Sequence, residues 1–229
     1  MVSFSQLALA TVLALAALTT QTTEALAVGE FYRPSGAEVS GVPGATTPYR
    51  RTPCPALNAL ANHGYLPRNG QGVTRAMFKE AIMSVYNIGE SVADLLVSQI
   101  PEVLSLDFLS THANIEHDAS LVHADSYLGK DPATVDPTLL ADVLGRTRSD
   151  GRIGVSEIAA VRKERGKTCK AVNPKCDMGL KPQFLMLSES SLLLLALGGD
   201  VNESISKVHA ESFLSQEKIP ADYVRPATD

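Results

Sequence analysis

From Pro53 onward the chain carries the start and stop signals of helices, and this limits the folds open to it. A first helix is expected over 55–63, with Pro55 at its first position and Gly64 just past its end. Thr74 caps a second, over 74–88, in which Met77, Phe78, Ala81, Ile82 and Val85 fall at i, i+3, i+4 spacing. Further helices are expected over 91–100, over 137–144 between the Asp136 cap and Gly145, over 156–165 before Gly166, and over 182–197 and 203–216. There is no stretch of period-two alternation and no internal repeat, so the class is all-α, with strands limited to a stray hairpin.

Composition narrows the function classes. Twenty Lys and Arg against 25 Asp and Glu give a net charge of −5, and no basic block exists to neutralise a run of phosphates. Nucleic-acid binding is therefore not expected. The apolar excess sits in two stretches, residues 7–18 and 183–197. The first is too short to span a bilayer and is followed by the small-x-small pattern Ala25-Leu26-Ala27, so residues 1–27 read as a signal peptide and the protein as secreted. Residues 28–52, rich in Gly, Pro, Ser and Thr, read as an extended arm over the surface, and 53–229 as one domain. The second stretch is apolar on nearly every face, which predicts a central buried helix; one carboxylate, Glu189, and three serines argue against a membrane span.

An exported chain can keep disulfides, and three cysteines leave one unpaired. Three pairings exist on paper. Cys169 and Cys176 flank the turn signal Asn173-Pro174, and bridging them closes a loop worth roughly 2.5 kcal/mol of chain entropy. Cys54 is then the free thiol. It stands at a helix start between Pro53 and Pro55, where unpaired N–H groups favour an anion, so a lowered thiol pKa and a role as a soft metal ligand are expected. Glu116-His117-Asp118-Ala119-Ser120 offers hard oxygen ligands for Mg²⁺ or Mn²⁺ and an acid beside a histidine. Glu189, within its apolar stretch, has the character of a group that takes and returns a proton.

Residues 146–157 place Asp150, Gly151, Ile153 and Glu157 at the fifth, sixth, eighth and twelfth positions of a calcium loop. Arg146 and Arg148 stand at the first and third, where carboxylates belong, so calcium is not expected there. Asn202-Glu203-Ser204 is a glycosylation sequon. His63, His112, His123 and His209 show no paired ligand spacing and read as structural.

The segment PCPALNALANHGYLP, from Pro53, resembles the haem-attachment segment of the haem-thiolate peroxidases related to chloroperoxidase and the unspecific peroxygenases, and EHDAS, from Glu116, is similar to that family's second signature. The resemblance implies a compact helical fold around haem b, with Cys54 as proximal thiolate ligand. It implies a Mg²⁺ or Mn²⁺ ion beside a haem propionate, held by Glu116, the His117 carbonyl and Ser120. Glu189 would be the distal acid–base, preferred over Ser190 because serine cannot shuttle a proton, with His117 and Asp118 as its relay; the peroxygenase branch instead has Gly in place of His and uses an arginine. His123 stands where the family often has an arginine. The implied activity is oxidation, oxygenation or halogenation of small organic substrates with hydrogen peroxide, or oxidation of a halide. A helical haem-binding or interaction protein of the same fold without turnover is the alternative.

Overall fold

The computed structural model describes residues 26–112, 115–199 and 201–227. The signal-peptide expectation therefore falls, up to Ala25, outside the described residues. Among the described residues seven α-helices carry the fold: α1 Pro55–Asn62, α2 Arg75–Tyr86, α3 Glu90–Ser98, α4 Pro137–Gly145, α5 Val155–Val172, α6 Leu180–Leu195 and α7 Lys207–Gln216. This is the expected helical class.

Most boundaries fall where local chemistry put them. Thr74 accepts from the Met77 amide at the start of α2, Asp136 accepts from Thr138 and Leu139 at the start of α4, and Gly64 leaves α1 at φ 76°. Two boundaries differ. Helix α5 does not stop at Arg165 but runs through Gly166 to Val172; the Met178 side chain packs where a Cβ at Gly166 would point, 3.1 Å away, so this glycine is a close-packing position within the helix rather than its terminator. Helix α7 begins at Lys207 rather than Glu203, because residues 204–206 are taken up by a strand and Ser206 is the cap, accepting from the His209 amide.

Strands exceed the single hairpin expected, as three short pairs join distant segments. β1 (Val39–Ser40) runs parallel to β2 (Tyr49–Arg50); β3 (Val73–Thr74) is antiparallel to β4 (Val103–Leu104); and β5 (Arg152–Gly154) is antiparallel to β6 (Ser204–Ser206), with Ile153 opposite Ile205. Two or three residues carry no readable alternation, which is why these pairs escape sequence reasoning. The β5–β6 pair ties the α4–α5 turn to the α6–α7 turn. In the first of these turns the Arg148 guanidinium bridges Asp150 at 3.0 Å and Glu157 at 3.9 Å, so a protein cation neutralises the acids of the calcium-like loop.

The buried centre is α1, not α6. Leu57, Leu60 and the small Ala59 and Ala61 are at most 6% exposed, which lets the other elements approach it closely. Helix α6 was expected to be central, yet Leu180, Phe184 and Leu187 are 89, 60 and 69% exposed. Its opposite faces line two separate hollows: a cavity against α1, and a groove of about 500 Å³ against α5. An all-round apolar sequence does not choose a face, and the neighbouring elements cover only part of this one.

The 28–52 segment is more than a surface arm. Pro34 is buried, and Arg51 at its end is 2% exposed, with Nη2 donating to Asn62 Oδ1 (2.7 Å) and the Arg68 carbonyl (3.0 Å). Burial lowers the Arg51 pKa to about 10, against the pull of Glu217. The link that matters for the site is next in the chain: Thr52 N–H donates to Asn58 Oδ1 (3.0 Å), and Asn58 Nδ2 donates back to the Thr52 carbonyl (2.7 Å) and to Glu217 Oε1 (2.6 Å). This reciprocal pair clamps the Thr52-Pro53-Cys54 turn onto α1.

Candidate active site

Cys54 is the cap residue of α1 and the free cysteine; Cys169 and Cys176 form the disulfide. Its thiol lines a cavity of about 250 Å³ walled by apolar side chains such as Leu57, Phe78, Ile82 and Leu193. Glu116, His117, Ser120, His123 and Glu189 line the same cavity.

The thiol pKa goes the other way from expectation. Burial pushes Cys54 up to about 11, and the N–H groups of Leu57 and Ala56 oppose this without reversing it, while the Glu189 charge adds to the rise. The helix N-terminus is present, but the desolvation of an anion in an apolar wall outweighs it. A thiol of this kind is neutral at pH 7 until a cation ionises it, and metal coordination does so.

Glu189 is brought into the cavity by α6. His117 Nε2 and Arg162 Nη2, the latter from α5, both lie 3.0 Å from its Oε2. Burial works against ionisation, but these two partners outweigh it and hold the carboxyl below the usual glutamate range. Its side chain is 45% accessible, since part of its surface faces the cavity. His117 shows the converse balance: burial disfavours the imidazolium, Glu189 favours it more, and the pKa rises.

His117 Nδ1 donates to the Asp118 backbone carbonyl at 2.7 Å. The Asp118 side chain was expected to be the relay partner, and it is not in contact. Its Oδ2 accepts from the Asp177 amide at 3.1 Å, and Oδ1 is buried without a partner among the described residues. One Asp118 oxygen and the sulfurs of Cys169 and Cys176 lie within 4.8 Å of one another, but the sulfurs are committed to their disulfide. The reason is local: Ala119 takes a left-handed conformation (φ 59°), and the Asp118 carboxylate points toward the loop after Cys176.

Two further residues hold this segment. Asp125 Oδ1 accepts from the Ala119 amide (3.0 Å) and from Arg165 Nη2 (2.8 Å), and Arg165 Nε donates to the Ser120 carbonyl (2.8 Å). Neither stood out in the sequence. Glu116 and Ser120 both reach the cavity wall, and Glu116 Oε2 pairs with His112 Nδ1 at 2.7 Å. Burial raises the Glu116 pKa against the pull of His112. His112 thus touches a candidate metal ligand and is more than structural. His63 fits the structural reading, with Nδ1 donating to the Gly29 carbonyl (2.7 Å) and Nε2 accepting from the Ile219 amide (3.2 Å). His209 pairs with Asp222 at 3.0 Å, away from the cavity lining. His123 is 5% exposed, and burial lowers its pKa to about 4, so it faces the cavity neutral. Asn202 is exposed in a turn at φ 50°, and the Ser204 of its sequon is buried in β6.

A thiol needing a metal to ionise it and a carboxylate held ready for a proton, on the walls of one apolar cavity, are the donor set of a thiolate-ligated cofactor enzyme. The residues fit haem: a soft sulfur, a mostly apolar wall, and a few polar groups, Glu116, His117, Ser120 and Glu189, in the same lining. A family model described as "Peroxidase, family 2" matches residues 30–228. The chain is 29% identical over 208 residues to an aromatic peroxygenase of Coprinellus radians, a match covering 76% of this chain and 78% of that protein. It is 33% identical over 88 residues to a chloroperoxidase of Leptoxyphium fumago, covering 33% of this chain and 24% of that one. It is 26% identical over 168 residues to the dothistromin biosynthesis peroxidase dotB of Dothistroma septosporum, covering 62% and 40%. The chain belongs to this peroxidase family, that of the haem-thiolate peroxidases, and is a haem-dependent oxidoreductase using peroxide.

Proposed function

We propose that this is a secreted haem-thiolate peroxidase or peroxygenase that uses hydrogen peroxide to oxidise, oxygenate or halogenate small organic substrates. Cys54 is the proximal ligand, Glu189 the acid–base, and Glu116, the His117 carbonyl and Ser120 hold Mg²⁺ or Mn²⁺ beside a propionate. The observation that carries this reading is that the free thiol and the doubly held carboxylate line one apolar cavity.

Bound haem supplies an iron at which the peroxide O–O bond is broken, a cleavage that thiolate donation favours. Cys54 keeps its sulfur at the cavity wall because the Thr52–Asn58 pair fixes the turn before it. Glu189, kept ionised by its partners, would take a proton from hydrogen peroxide in the cavity and return it to the oxygen that departs as water. His117, with Nδ1 tied to the Asp118 carbonyl, keeps Nε2 on Glu189 and balances its charge. Secretion rests on the leader-like residues 1–27 and on the disulfide; no helix among the described residues is long and apolar enough to cross a membrane. A glycan at Asn202 fits its exposed turn.

The test is spectroscopic. Haem-loaded protein should give the red-shifted ferrous–CO Soret band of thiolate ligation, lost in Cys54→Ala and kept in Cys169→Ala. A histidine-like band, or no haem uptake, would refute the ligand assignment.

A further inference from the structure

Glu189 is held from two sides, and the second holder comes from an element that no sequence motif marks. His117 and Arg162 converge on the same oxygen, Oε2, while Oε1 accepts nothing among the described residues. Arg162 lines the groove between α5 and α6 rather than the cavity, so it reaches Glu189 from behind the wall. It is itself seated, with Nε donating to Ser190 Oγ at 3.1 Å, Nη1 to the Ala119 carbonyl at 3.3 Å, and its side chain 12% exposed. The guanidinium therefore joins α5, α6 and the loop that carries His117. A planar fork can hold three acceptors in fixed directions, which an ammonium cannot. Two donors on Oε2 occupy its lone pairs and leave Oε1 as the oxygen able to take a proton. With one donor the carboxylate could rotate and exchange its oxygens; with two, rotation breaks both bonds.

We infer that Arg162 is a positioning residue for the acid–base carboxylate, acting with His117 to present Glu189 Oε1 to the cavity. This rests on Glu189 being the acid–base, and the experiment separates the two statements. The probe is cyanide, which binds haem iron as an anion and must leave its proton on a pocket base, so its affinity, read from the Soret shift of ferric holoenzyme, reports the base without turnover. Peroxide kcat/KM is read in parallel. Glu189→Gln should lower kcat/KM by about 10²–10⁴ and weaken cyanide clearly. Arg162→Gln should weaken cyanide roughly tenfold alone and by less than about twofold on the Glu189→Gln background, because its effect passes through the carboxylate. Arg162→Lys should fall between wild type and Arg162→Gln.

Unchanged cyanide affinity in Arg162→Gln, or an equal loss in both backgrounds, would overturn the inference while leaving the acid–base reading intact. A changed ferrous–CO band in Arg162→Gln would overturn it too, by placing its effect on the thiolate side. Unchanged cyanide affinity and turnover in Glu189→Gln would instead remove the acid–base reading itself. Should Arg162→Gln not fold, Ser190→Ala loosens the guanidinium from one of its acceptors, and removes besides only a hydroxyl bond to the Met186 carbonyl within α6. It should weaken cyanide about two- to fivefold, a loss absent on the Glu189→Gln background, and unchanged cyanide affinity in Ser190→Ala alone would be equally fatal.

Discussion

At Cys54 two opposing effects meet on one atom. The open N-terminus of α1 offers its N–H groups to the sulfur, and the apolar wall removes the water that would otherwise solvate an anion; the thiol pKa of about 11 shows that the wall wins. His123 is the same contest with the opposite charge sign. Its folded pKa of about 4 lies below the ordinary 6.5, so as pH falls the unfolded chain takes up a proton before the folded one does. Its contribution to stability is complete above about pH 6.5 and is lost progressively between there and pH 4, up to about 3 kcal/mol for a shift of this size. His123→Gln should flatten the fall of Tm over that interval, and an unaltered slope would contradict the neutral buried state. The proposed ligand residues stand out at this scale, since Cys54 lies between two prolines and Glu116 to Ser120 form one run of polar side chains around Ala119. The roles of Asp118 and Arg162 do not. Which atom of Asp118 faces His117 depends on a single left-handed residue, Ala119, and Arg162 lies 27 positions from the carboxylate it holds.

Among the elements, α5 and α6 matter most to the site, because α6 carries Glu189 and α5 carries Arg162 and Arg165. The Cys169–Cys176 disulfide ties the end of α5 to the segment leading into α6, beside a small cluster of Ala119 and Met186. Asp177, just past the bridge, donates its amide to Asp118. Cys169→Ala combined with Cys176→Ala should cost about 2–3 kcal/mol in a denaturant titration by loop entropy. It should also lower peroxide turnover while leaving the ferrous–CO band in place, since Cys54 lies on α1, away from the bridge. Equal stability with and without the bridge would show that α5 and α6 are held by packing alone. Helix positions came through from local signals, caps and glycines, but the lengths of α5 and α7 did not. Gly166 reads as a stop but is a close-packing position against Met178, and residues 204–206 read as helix until β5 pairs with them.

For the molecule as a whole, the cofactor must be retained by a helical shell whose cavity wall is mostly apolar, with few polar contacts. Glu116, His117 and Ser120, the proposed ion ligands, line the cavity, with His112 on Glu116 Oε2. Holoenzyme should carry about one equivalent of Mg²⁺ or Mn²⁺ by elemental analysis, and chelator treatment or Ser120→Ala should remove it and speed haem loss to a scavenging protein. Metal-free holoenzyme with unchanged haem retention would exclude that ligand set.

The sequence by itself determined the helical class, the positions of most helices and the identity of the thiol, because caps, turn residues and short motifs act over a few neighbours. Only the tertiary structure decided that α1 rather than α6 is central, that the Asp118 carboxylate turns away from His117, that burial overrides the helix terminus at Cys54, and that Arg162 reaches Glu189. Each of these depends on solvent exclusion or on contacts between residues far apart in the chain, and neither is encoded in local spacing.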